Sequence, residues 1–165
     1  MKKEIRMIVF TVTWIGLTSL SLITSNKGQQ SAKQVEVTFI SNCGFILQAQ
    51  DKKILFDPED PSTAYKRQEV SEAYELMKAD KPPFNDIDVI FISHAHDDHL
   101  AVKELTEYLK NNPGVKLFSN AGVRDSFREN DPVSFSTIEN NIVVIDPGSE
   151  GIKELTIEGM RVTFL

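Results

Sequence analysis

A chain of 165 residues, 41% hydrophobic and 25% charged, has the length and composition of one globular domain with a real core, since a chain of about this size buries roughly 70% of its unfolded surface. Its net charge of −6 speaks against a nucleic-acid binder, because nonspecific affinity for phosphate backbones comes from lysine and arginine displacing counterions. Cys43 is the only cysteine, which excludes a disulfide within these residues, so the fold must hold without cross-links.

The first 25 residues differ in kind from the rest. Lys2, Lys3 and Arg6 make a positive start, and residues 7–24 are uncharged. This is the pattern of a secretory signal peptide and predicts an exported protein, periplasmic or extracellular. The apolar stretch is about 18 residues long, the lower limit for spanning a bilayer, so an N-terminal membrane anchor is the competing reading. Thr11, Thr13, Thr18, Ser19 and Ser21 scatter around every helical face, which argues against a buried core helix. Setting this segment aside removes three positive charges and one negative, and leaves a remainder more acidic than the whole. Residues 26–33 are polar and read as a linker, followed by a domain over residues 34–165.

Three strand signals open that domain. Residues 35–40 begin with apolar and polar residues alternating, Ser41, Asn42, Cys43 and Gly44 supply turn chemistry, and Phe45, Ile46 and Leu47 resume with β-formers. Asp51 and Lys52 turn the chain again into Ile54, Leu55 and Phe56, so the opening reads as an antiparallel meander. In this setting Cys43 reads as a small buried residue beside the Gly44 turn. Asp57 and Pro58 close the third strand.

The period then changes. Between residues 64 and 79, Val70, Ala73, Tyr74 and Met77 fall on one face of an amphipathic helix, and Pro82-Pro83 forbids its continuation. Residues 88–92 are wholly apolar after Asp88, the mark of a strand covered on both sides. Val102, Leu105 and Leu109 mark a helix that stops near residues 111–114, residues 115–118 form the next strand, and Val123 and Phe127 sit on a second short helix. From there the chain reads as β-rich, with strands at 142–145, 154–157 and 160–165. The last of these is apolar and has no closing helix after it.

All three histidines lie in one window, His94-Ala95-His96-Asp97-Asp98-His99, directly after the apolar run of residues 89–92. Imidazole and carboxylate are the nitrogen and oxygen ligands of zinc and similar ions, and open α/β sheets place ligands outside the carboxyl ends of strands. His94 and His96 are two apart, so on extended backbone both side chains point to one side and can hold one ion. Asp98 and His99 follow the bend and can hold a second. Two ions about 3.5 to 4 Å apart lower the pKa of a shared water and clamp the oxygens of a hydrolytic transition state. The bland reading is that Asp98 caps the helix over residues 101–110. Capping asks for one residue, and four ligand types are gathered here.

The window His94-x-His96-x-Asp98-His99 resembles the signature of the metallo-β-lactamase fold hydrolases, and the likeness extends over about residues 35–165. Residues 42–47 through 53–58 look like that family's opening strands, and residues 82–88 are similar to what precedes its motif. The resemblance implies an αββα sandwich in the α/β class, with His94 and His96 on a first metal and Asp98 and His99 on a second. It implies two divalent ions, zinc before others, a metal-bound hydroxide as nucleophile with Asp98 as the catalytic carboxylate, and a small-molecule ester, lactone, thioester, amide or phosphodiester as substrate. It also places Asp57 behind a ligating imidazole, against the plainer reading of a turn residue before Pro58.

The departure matters as much. Family members bring a third histidine, a bridging carboxylate and a last histidine from further along the chain, and no histidine follows His99 here. Asp131 and Asp146 are the carboxylates at hand, and both precede proline as turn residues do. Missing ligands and the abrupt last strand together read as the N-terminal portion of a longer protein. A noncatalytic metal-binding relative is the alternative.

Overall fold

The computed structural model describes residues 34–59, 68–145, 151 and 153–164. The export segment expected at 1–25, the linker at 26–33 and Asp146 lie outside the described residues. Among those described, no helix is long and apolar enough to cross a membrane.

The expected meander is β1 (Val35–Phe39), β2 (Phe45–Ala49) and β3 (Lys52–Phe56), paired antiparallel with Val37 opposite Leu47 and Phe45 opposite Phe56. The β2–β3 turn is the two-residue Gln50-Asp51, with Gln50 at φ 60°, the left-handed geometry that matches the twist of a tight hairpin. After β3 the chain alternates: α1 (Gln68–Lys78), β4 (Val89–Phe91), α2 (Val102–Asn111), β5 (Lys116–Ser119), α3 (Ala121–Asn130), α4 (Pro132–Ile138), then β6 (Ile142–Val144). β3, β4, β5 and β6 are mutually parallel, and the sheet order is sequential from β1 to β6. Each crossover steps the same way across the sheet, so right-handed connections put every helix on one face.

Register decides which side chains meet those helices. Ile46, Leu55, Ile90, Leu117 and Ile142 are cross-strand partners, and all are buried against Tyr74 and Met77 of α1, Leu105 and Leu109 of α2, Val123 and Phe127 of α3 and Ile138 of α4. The opposite face carries a row of aromatics, Phe45, Phe56, Phe91 and Phe118, with successive ring centroids 4.6, 5.4 and 5.7 Å apart. A hairpin of β7 (Lys153–Ile157) and β8 (Met160–Phe164) covers that row, with Phe164 5.9 Å from Phe91. Its turn, Glu158-Gly159, has positive φ at both residues (48° and 77°). The hairpin leaves β1 uncovered on this side, where Val35, Val37 and Phe39 are exposed.

β4 is buried along its whole length, as its apolar run predicts. α4 is a correction, because residues 131 onward read as β-rich. Asp131 is not a turn residue either. Its side chain accepts from Ser134 N and caps α4, with Pro132 in the first turn, a position where a missing N–H costs nothing. It sits at the far end of the ten-residue α3, roughly 15 Å along that helix from the edge that carries the histidines, so it is no ligand for them.

Candidate metal centre

Parallel strands β3, β4 and β5 end side by side, and their C-terminal edge delivers Asp57, Ser93 and Asn120 to one place. The ladder continues past the strands: Asp57 N donates to Phe91 O at 3.1 Å and Ile92 N to Phe118 O at 3.1 Å. Ser119 Oγ donates to Ile92 O at 2.6 Å, and Asn120 Nδ2 donates to Ser93 O at 3.0 Å while its Oδ1 caps α3 through Val123 N. Residues 92 and 93 are thus clamped from both sides before the chain turns into the histidine window.

The turn begins earlier than expected. The backbone is already bent at Ala95, and His99 N donates to His96 O at 2.9 Å. His94 and His96 therefore meet through a bend and not by extended-strand alternation. Their Nε2 and Nδ1 atoms face each other at 3.0 Å, and a carboxylate oxygen of Asp98 lies within 4.8 Å of a ring nitrogen of each histidine. Two bare imidazole lone pairs at that distance repel unless a proton or a cation sits between them. In a tetrahedral zinc site with Zn–N near 2.0–2.1 Å, neighbouring nitrogens are about 3.3 Å apart, so the pair is close to ligating separation.

The Nδ1 nitrogens of His94 and His99 have partners of their own. Ser93 Oγ lies 2.8 Å from Asp57 Oδ2, 2.9 Å from His94 Nδ1 and 3.2 Å from His99 Nδ1. Asp57 Oδ2 is also 3.1 Å from His99 Nδ1, and Asp57 Oδ1 accepts from Ser93 N at 2.7 Å. A hydroxyl that donates to the carboxylate accepts from His94 Nδ1–H, and His99 donates Nδ1–H to Asp57. In neutral rings these tautomers place the lone pair available to an ion on Nε2. His99 Nε2 points toward Asp98, 3.7 Å from its Oδ2.

Asp57 holds this position at a cost. Its φ is 40°, in the left-handed region, where a non-glycine residue before proline is strained by about 1–3 kcal/mol. Asp98 does not cap α2, whose N-cap is Ala101 with no side-chain cap bond; the capping explanation of the window fails.

Cys43 is a second correction. It is half-buried rather than a packed core residue, and its Sγ falls within 4.8 Å of ligand atoms of both Asp98 and His99. Burial, then the charges of Asp98, Asp57 and Glu59, pushes its thiol above the ordinary cysteine value. Ser93 and Asn120 are further residues that sequence reasoning did not single out. Beside them, between the main sheet and the β7–β8 hairpin, lies a cavity of about 610 Å³ lined by Phe56, Asp57, Ser93, Asn120, Arg161 and Thr163.

Comparison with known proteins follows this geometry. Among solved structures, a protein assigned as a metal-dependent hydrolase from Parabacteroides distasonis ATCC 8503 is similar, with a TM-score of 0.44 and 21% identity over 75% of this chain and 45% of that one. The chemotaxis sensor ODP, in a peroxy diiron form, gives 0.42 and 15% over 81% and 49%. A protein assigned as a metallo-β-lactamase from Thermotoga maritima gives 0.37 and 16% over 81% and 60%. The chain therefore spans about half the length of these proteins. Comparison with curated proteins gave no match. The family model described as the beta-lactamase superfamily domain matches residues 36–164, and the chain, with its mixed α/β fold, belongs to that superfamily.

Proposed function

We propose that this chain carries metal ligands of a metal-dependent hydrolase acting on a small-molecule ester, lactone, thioester, amide or phosphodiester. The observation that supports it is the pair of imidazole nitrogens, His94 Nε2 and His96 Nδ1, facing each other at 3.0 Å with an Asp98 oxygen alongside. The donor set fits a borderline divalent ion: imidazole nitrogen and carboxylate oxygen are the ligands zinc takes, and one water would complete an open site. His94 and His96 would hold a first ion, Asp98 and His99 a second. Such ions supply Lewis acidity and a water acidic enough to ionise near neutral pH.

The remaining residues prepare the ligands. Asp57 accepts a hydrogen bond from His99 Nδ1 and Ser93 one from His94 Nδ1, so each ring is oriented with its Nε2 available to an ion. Asp98 is shared between the two groups, and it is the carboxylate positioned to act as the catalytic proton acceptor. The contacts of the Asp57 carboxylate with Ser93 and His99 hold it there against the strain of its backbone. The positive, then apolar, N-terminal segment supports export to the periplasm or outside the cell, with residues 1–25 as signal or membrane anchor, 26–33 as linker and 34–165 as the domain.

Metal analysis of the protein and of His96→Ala tests the reading. The wild type is expected to bind two equivalents of zinc and the variant fewer, with hydrolysis of a generic ester or phosphodiester lost in parallel. Equal metal content in both would overturn the assignment, and metal bound without hydrolysis would leave a metal-binding protein that is not an enzyme.

A further inference from the structure

One corner of the site comes from the opposite end of the domain sequence. β2 runs antiparallel to β3 with Phe45 opposite Phe56, so the residues just before β2 lie beside Asp57, at the same edge as the ends of the parallel strands. The loop there is closed on itself by Ile40 N and Ser41 N, both donating to Gly44 O at 2.9 and 3.3 Å. It is pressed onto the metal-side backbone. A Cβ at Gly44 would lie 2.7 Å from Ser41 Oγ and 3.1 Å from Asp57 O, with Pro58 Cα at 3.4 Å. A side chain there would crowd the Ser41 hydroxyl and the Asp57 carbonyl, so glycine lets the loop approach Asp57 closely, with Cys43 next to it.

What Cys43 meets there is a set of ligand atoms. Its Sγ, a carboxylate oxygen of Asp98 and a ring nitrogen of His99 all lie within 4.8 Å of one another. Asp57 and Ser93 engage His99 Nδ1, which leaves Nε2 as the nitrogen free to ligate. In a tetrahedral zinc site with Zn–S near 2.3 Å and Zn–N or Zn–O near 2.0–2.1 Å, ligand atoms are about 3.3 to 3.6 Å apart. Cys43, Asp98 and His99 together offer three ligand atoms of the kinds zinc takes.

We propose that Cys43 is a ligand of the second metal ion, forming with Asp98 and His99 a three-ligand site of mixed sulfur, oxygen and nitrogen donors. This rests on the reading of Asp98 and His99 as metal ligands given above. Binding releases the thiol proton to solvent, one proton per ion. A thiolate in the set selects zinc over manganese or magnesium, which take oxygen donors.

Cobalt(II) is the probe, because a thiolate ligand gives it a near-ultraviolet charge-transfer band that nitrogen and oxygen ligands do not. The full protein, loaded with two equivalents of cobalt(II), is expected to show that band on filling the second equivalent. Cys43→Ser should abolish the band, keep the visible absorption of the first equivalent and weaken the second by about 100-fold or more. Two bound equivalents with no thiolate band in the wild type would overturn the proposal about Cys43 and leave the hydrolase reading standing. A band that persists in Cys43→Ser would overturn it as well. Failure to bind cobalt at all would overturn both. The wild-type spectrum decides the matter even where the variant folds poorly.

Discussion

The two ends of β4 handle acidic side chains in opposite ways. At the N-terminal end Asp88 is answered by lysine: its Oδ1 is 2.9 Å from Lys52 Nζ and its Oδ2 accepts from Lys53 N at 2.8 Å. The Asp88 hydrogen bond, helped by Glu158, holds the Lys52 ammonium above its usual pKa. At the C-terminal end the carboxylate beside the strand, Asp57, is met by a backbone amide, a hydroxyl and an imidazole. Among the described residues, the ion pairs of Asp57 and Asp98 run only to His99. One end is answered by lysine, whereas the other brings Asp57 and Asp98 together with imidazole nitrogens and no lysine or arginine ion pair among the described residues. That difference, more than the presence of aspartate, separates a structural corner from a candidate site.

The strongest way to break this contrast is Asp98→Asn, since Asp98 belongs to both ligand groups. The substitution keeps the shape and removes the charge. Bound metal and hydrolysis should both fall by more than the about 100-fold that marks the upper range for residues behind a ligand. Metal content and rate measured on the same sample check it, and a variant retaining both ions would show that Asp98 ligates neither.

Asp57→Asn should cost less. It touches no reacting atom, but it loses the charge that draws the His99 Nδ1 proton, and such changes weaken metal binding by about 10–100-fold. Competition with a chelator measures this directly. An affinity unchanged from wild type would return Asp57 to the role of a turn residue before Pro58.

Asp88→Ala probes the other end of the strand. Removing the partner of Lys53 N and Lys52 Nζ should destabilise the fold by about 1.5 kcal/mol, as for a hydrogen bond to a charged group, with metal affinity intact. A loss of metal here would mean that the two ends are not independent, and denaturant unfolding alongside chelator competition separates the cases.

How much of this was legible in the sequence follows from the range of the interactions involved. The meander, the buried β4 and the position of the window at its carboxyl end depend on local periodicity and were readable. Cys43 was not, because its approach to His99 depends on the register of β2 against β3 and on a loop 56 positions away from its partner in the chain. The missing signal was topological: an antiparallel strand preceding β3 must start where β3 ends. Ser93 was hidden for another reason. A serine next to a strand has no pattern, and its three contacts arise only once Asp57 is brought alongside. α4 was readable in principle, since Asp131-Pro132 is a helix start, but its seven residues include Val133, Thr137 and Ile138, which favour strands.

Asp131 offers the smallest and cleanest contrast, because it is an aspartate whose whole work is to cap a helix. The Ser134 hydroxyl, then the Ser134 amide, holds its carboxyl below the ordinary aspartate value of 3.8. A depressed folded-state pKa means the charged form is favoured by folding, so its contribution is present in full above the unfolded value and is lost as pH falls through the lower folded value. Asp131→Asn keeps an oxygen to accept from Ser134 N and ranks as an equal cap, but it cannot titrate. The melting temperature near neutral pH should therefore barely move, while the decline below about pH 4 becomes shallower than in the wild type. Metal content should be untouched, because the cap lies at the end of α3 remote from the histidines. Thermal melts across the acid range check the first two statements; an unchanged acid slope would assign the cap to the Asp131 dipole instead of its charge, and a loss of metal would bring Asp131 back among the ligands.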